Sequence, residues 1–119
     1  MPQDEAKPNG IILISTFSDE QSLIDLSNII VNEKRLCACV NYTSIKSIYM
    51  WRSDLRHENE IIAFFKTTDD LVDKLKIEIK KNHPYDVPEI VIIKMNDVSY
   101  EYLDWMYKVT HIEKNNESK

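Results

Sequence analysis

The segment Glu60-Ile61-Ile62-Ala63-Phe64-Phe65-Lys66-Thr67 constrains the fold more than any other stretch of the chain. It is short and rich in β-branched and aromatic residues, so it reads as a strand. Side chains alternate between the two faces of a strand. Here Ile61, Ala63 and Phe65 take one face and Ile62 and Phe64 the other, so both are apolar until Lys66. A fold that leaves either face in water is disfavoured. Two more runs share the property: Ile11-Ile12-Leu13-Ile14 after Gly10, and Ile90-Val91-Ile92-Ile93 after Glu89.

Helical patterns separate these strands. Ser18 with Gln21 has the form of a capping box, and Asp19 and Glu20 supply an acidic first turn. Leu23, Leu26 and Ile30 recur at helical spacing, with Ile24 and Val31 widening the stripe, which predicts a helix over 19–34. From Leu36 to Trp51 the period becomes two: Cys37, Cys39, Asn41 and Thr43 share one face, Ala38, Val40 and Tyr42 the other. The polar segment 52–59 reads as a connection. Thr68, Asp69 and Asp70 open a second helix on Leu71, Val72, Leu75 and Ile79, which must stop near Asn82-His83 because Pro84 follows. Ser99 caps a short terminal helix. Residues 1–9 read as a flexible leader and 112–119 as a polar tail, leaving 10–111 as one domain.

The order is β-α-β-β-α-β plus a C-terminal helix. That is the split βαβ pattern of a ferredoxin-like α+β sandwich with an antiparallel sheet. Both main helices then cover one face of the sheet, while the other is as apolar as the first. The terminal helix is too short to cover it alone, so an oligomer in which sheets bury one another is expected.

Composition narrows the function. The chain holds one glycine, Gly10. Neither the dinucleotide fingerprint nor the Walker A loop can be built without several, so no nucleotide cofactor is expected. A net charge of −5 lacks the basic surplus of a nucleic-acid binder. No run approaches the roughly 20 apolar residues that span a bilayer, and the polar N-terminus is unlike a signal peptide. Two cysteines at this spacing are no disulfide framework. A cytoplasmic, reduced protein is expected, with neither membrane nor nucleic acid as partner.

Several strings then stand in a familiar order. They are Ala38-Cys39-Val40-Asn41, Ser47-Ile48-Tyr49 with Trp51, Glu60, Lys66-Thr67, His83-Pro84-Tyr85-Asp86-Val87-Pro88-Glu89-Ile90, Tyr102-Leu103 with Trp105, and Val109-Thr110. Together they resemble the CutA divalent-cation tolerance proteins across residues 10–111. The resemblance implies a homotrimer whose sheets pack around a threefold axis, and a part in the handling of copper or another divalent metal. An architectural similarity to PII signalling trimers adds an alternative, a sensor that binds a small anionic ligand between subunits and signals to a partner. Two positions depart from the family pattern: Asp86 stands where Glu is usual, and Ser53 where a glycine commonly follows the tryptophan motif.

The candidate site residues each carry two readings. Same-face Cys37 and Cys39 would lie roughly 6.7 Å apart, fit to offer soft thiolates to Cu(I) or zinc, or to pack as small buried residues. His83 can bind metal or cap the end of a helix. Lys66 needs a counter-charge, from Glu60 or Glu89 of its own or another subunit, or else offers an anion site. Tyr49, Trp51, Tyr85 and Trp105 can line a pocket or simply pack. A Cys39–His83 nucleophile pair lacks an orienting third group and an oxyanion nest, so a binding protein is expected in place of an enzyme. The metal candidates are Cys39, His83 and Cys37; the pocket candidates are Lys66, Tyr85, Trp51 and Glu89. His57 and His111 read as solvated.

Overall fold

The computed structural model describes residues 8–112. The expected leader and tail therefore lie almost entirely outside the described residues. Four strands form one antiparallel sheet: β1 (Gly10–Phe17), β2 (Cys39–Trp51), β3 (Asp54–Thr68) and β4 (Val91–Lys94), in the order β2-β3-β1-β4. Helices α1 (Glu20–Ser27), α2 (Val72–Lys81) and α3 (Tyr100–Thr110) complete the split βαβ sandwich.

Leu13 and Phe17 of β1 and Ala63 and Phe65 of β3 face Leu23, Leu26, Ile30, Leu75 and Ile79 from the helices, and this is the core. Ile12, Ile14, Ile62 and Phe64 point away from it and are half-buried. The second face of the sheet is thus apolar and only partly covered, as the alternation predicts.

The first helix starts one residue later than the capping-box reading. Asp19, in an extended conformation, is the N-cap and accepts the Ser22 N–H at 2.8 Å. Ser18 donates to Asp19 instead. After Ser27 the helix widens into a π-helical stretch, Asn28–Glu33, and closes at Arg35 with φ 55°. Ser99 caps α3, as its position predicts, by accepting the Tyr102 N–H.

The largest departure concerns 52–59, expected to be a connection. The reversal takes only Arg52 and Ser53, with φ 52° and 72°, between the paired Trp51 and Asp54. Everything from Asp54 onward is strand. Because β1 meets β3 only from Ile61 onward, the outer parts of β2 and β3 form a two-stranded ribbon beyond the sheet, roughly 20 Å long by strand rise. A ribbon lapped by water on both sides tolerates polar residues, so its sequence looks like a loop. Its apolar residues are left bare: Ile48, Met50 and Leu55 are each more than 60% exposed.

Helix α3 lies across the start of β1 on the uncovered face. A Cβ on Gly10 would stand 2.5 Å from Met95 Sδ and 3.3 Å from Met106 Cε. The lone glycine is therefore the point where the C-terminal segment presses on the sheet. His111, read from sequence as solvated, instead holds α3 down: its Nε2 lies 2.7 Å from Asp70 Oδ2 and its ring stacks on Tyr107. Burial opposes the charge on Asp70, but the Thr68 hydroxyl and His111 outweigh it and keep the carboxyl below its usual range.

Both turn residues at the ribbon tip hold the left-handed conformation that costs a non-glycine residue about 1–2 kcal/mol. Ser53→Gly relieves this at one of them. It is expected to raise stability by about 0.5–1 kcal/mol in chemical denaturation with an unchanged m-value.

Candidate functional site

On the uncovered face a groove of about 670 Å³ runs between the ribbon and the 84–89 segment. Alternate residues of β2 supply one wall, Ile45, Ser47, Tyr49 and Trp51, and β3 supplies Arg56, Glu58, Glu60 and Ile62. Tyr85, Asp86 and Glu89 close the other side. Three expected pocket residues, Trp51, Tyr85 and Glu89, therefore meet here. Arg56 and Glu58 also line the groove, and the sequence hides them because the polar run 54–59 looks like a loop. Read as a strand, their period of two with Glu60 would have placed all three on one face.

Glu60 is the buried charge of the groove, 8% exposed. The Tyr85 hydroxyl donates to its Oε2 at 2.6 Å. Burial, followed by this bond to a carboxylate, pushes the Tyr85 pKa well above its ordinary value. Arg56 donates to Glu58 at 2.9 Å.

His83 explains how Tyr85 gets there. Its Nδ1 accepts the Tyr85 N–H at 3.0 Å, so the proton sits on Nε2, which faces Ser15 Oγ at 3.1 Å. Its ring stacks on Phe17 at 4.4 Å. Burial lowers its pKa, with the Thr16 backbone working the other way, so the imidazole is neutral at pH 7. Both ring nitrogens are engaged. The His-Pro-Tyr string thus ends α2, seats its histidine on the helix side of the sheet, and delivers its tyrosine to the other side.

The expected Cys39–His83 pair does not assemble within a chain. Cys39 is paired with Lys66, and Lys66 with Ile12, so Cys39 faces away from the helices. Ser15 and Phe17, which hold His83, face towards them. Nor do Cys37 and Cys39 share a face, because the strand begins only at Cys39. Cys37 turns into the core, 1% exposed, and donates to the carbonyls of Cys39 and Lys66, both at 3.3 Å. Burial pushes its pKa to about 12, the carbonyl contacts notwithstanding. Cys39 is half-buried and donates to Asn41 Oδ1 at 3.5 Å.

Lys66 is not part of the groove. It stands about 20 Å along β3 from Glu60, and its ammonium lies 5.9 Å from the Tyr102 ring centre. Tyr102 also bonds Cys39, and its own pKa is raised by burial first and by that cysteine second. Among the described residues, no three His, Cys, Asp or Glu side chains cluster as a metal-ligand set, and no helix is long and apolar enough to cross a membrane.

Fold, ribbon and His-Pro-Tyr turn together define a ferredoxin-like α+β protein with a partly covered sheet. Comparison with known proteins gives the family. The model of the CutA1 divalent ion tolerance protein family matches residues 11–109. The divalent-cation tolerance protein CutA of Pyrococcus horikoshii is 38% identical over 100 residues, 84% of this chain and 97% of its own. The crystal structure of divalent ion tolerance protein CutA1 from Ehrlichia chaffeensis superposes with a TM-score of 0.85 at 30% identity, covering 90% of this chain and all of that one. A structure from Archaeoglobus fulgidus, described as a periplasmic divalent cation tolerance protein CutA, has a TM-score of 0.82 at 25% identity, over 86% of this chain and 99% of its own. The chain belongs to the CutA family of divalent-cation tolerance proteins.

The two thiols should differ sharply in reactivity. In native protein near pH 8, a disulfide reagent is expected to label one thiol per chain, lost in Cys39→Ala. Cys37 should react only after denaturation, since a thiol with a pKa near 12 is almost wholly protonated there. Rapid labelling of both in the folded state would show that Cys37 is not held as described.

Proposed function

We propose that this protein acts in divalent-metal tolerance as a cytoplasmic homotrimer that binds metal, preferably copper, and catalyses no reaction. Family membership supports the metal role. The trimer is supported by the half-covered apolar face and the bare ribbon, surfaces that a chain of this size does not ordinarily leave open. Two free cysteines suit a reducing compartment.

The observation that carries the metal reading is the separation of the two thiols. Cys37 is sealed and protonated, while Cys39 stands half-buried on the face where neighbouring copies would pack. Soft thiolate selects Cu(I) over harder ions. One chain offers no complete ligand set, so the remaining donors come from a neighbouring copy. His83, with both nitrogens engaged on the far side of the sheet, serves as scaffold. The small-anion sensor has less support, because Lys66 lies outside a groove whose formal charges are mostly negative.

The test is a competition titration of reduced, metal-free protein with Cu(I) against a chelator of known affinity. Saturable binding that weakens tenfold or more in Cys39→Ala is expected. Binding unchanged in that variant would remove Cys39 from the site and the copper reading with it.

A further inference from the structure

The last turn of α3 is fastened by side chains that demand one protonation state. His111 sets a ring nitrogen against each of two acceptors: Nδ1 lies 2.8 Å from the Tyr107 carbonyl oxygen and Nε2 lies 2.7 Å from Asp70 Oδ2. A carbonyl oxygen cannot donate, and an ionised carboxylate only accepts. Asp70 is ionised near neutrality, since its carboxyl sits below its usual range. A neutral imidazole carries one N–H, so it satisfies one of these oxygens and turns a lone pair on the other. The imidazolium satisfies both.

Thr110 does not supply the missing proton. Its hydroxyl lies 2.9 Å from Nδ1, but its single hydrogen goes to the Met106 carbonyl at 2.8 Å, and donating to the ring would give that bond up. The other charged groups around this turn leave the imidazole to Asp70. Arg35, at the end of the first helix, reaches the Val109 carbonyl at 3.4 Å, and Lys108 pairs with Asp104 at 3.0 Å. The second Asp70 oxygen accepts the Thr68 hydroxyl at 2.6 Å, which fixes the carboxylate towards the ring. Tyr107 stacks on the imidazole with ring centres 3.9 Å apart, and both an aromatic face and a helix C-terminus favour a cation. Every one of these contacts lies within one chain and is already made, so none depends on the sheet face being open. What they hold is α3, which carries Met106 against Gly10 and Tyr102 against Cys39.

We propose that His111 is a proton-operated latch: doubly protonated, it ties the end of α3 to Asp70 just before α2, and on losing a proton it lets that end loosen. The sign follows from the contacts. The latch is closed while the imidazole is charged and opens as pH rises through the titration of the ring. In acid it weakens again when Asp70 is protonated, and the lowered range of that carboxyl puts this loss below the pH of an ordinary aspartate. The latch needs neither thiol and goes beyond the metal reading, so either can fail without the other.

Hydrogen exchange of the full-length, oligomeric protein tests this, measured by mass spectrometry from about pH 5.5 to 8.5 and normalised to the intrinsic rate at each pH. The state of the His111 ring is read in parallel from its nitrogen NMR signals. Protection of the last turn of α3, relative to α1, is expected to fall about tenfold as the ring loses its proton. His111→Gln cannot titrate and should leave that turn weakly protected at every pH. Asp70→Asn keeps the size of the partner but removes its charge, and should flatten the pH dependence while α1 stays as in the parent. Protection of α3 that tracks α1 at every pH would overturn the proposal. So would a pH dependence retained in full by either variant, or a ring that shows a single N–H while α3 stays fully protected.

Discussion

Strand β3 has to be buried on both faces, and most of the structure follows from how that is arranged. On one face, Ala63 and Phe65 meet Phe17 and the stripes of α1 and α2, closing an ordinary core. On the other, α3 reaches only the end near Gly10, leaving Ile62, Phe64 and the apolar side of β1 half-covered. The ribbon carries the same imbalance outward. Two strands alone are marginal in water, yet here they extend well past the sheet with Ile48, Met50 and Leu55 bare. Packing against copies of the chain would supply what the sheet and ribbon lack.

The family's characteristic residues take their meaning from that frame. His83 looks like a ligand in the sequence, but its nitrogens are spent on Ser15 and Tyr85, and its neutrality is a consequence of burial. Its effect on the groove runs through Tyr85, whose N–H it accepts and whose ring lies 5.2 Å from its own, and which in turn reaches Glu60. The cysteines divide in the same way. Their two-residue spacing suggests a pair, but the chain enters β2 between them, and one thiol goes to each side of the sheet.

What was legible in the sequence were the features governed by short-range periodicity. The order of elements, the stop at Pro84, the Ser99 cap and the two-sided character of β3 all follow from local residue types. The ribbon was not legible, because residues 54–59 carry the polarity of a loop and a turn at Arg52-Ser53 has no glycine or asparagine to announce it. The same polarity hides Arg56 and Glu58 as groove residues. Lys66 stands apart from Glu60 of its own chain, because strand rise separates residues of one strand by a fixed and considerable length, so a Glu60 partner for it would come from another copy. His111 was read as solvated because its partner, Asp70, is distant in sequence and only the docking of α3 brings them together.

The dependence of the fold on neighbouring copies is the claim on which the rest stands, and sedimentation equilibrium at micromolar concentration measures it directly. The account predicts a single species of three times the 14.0 kDa chain mass. A stable, folded monomer that remains soluble across that range would contradict it, since the open face and the ribbon would then be tolerated in water.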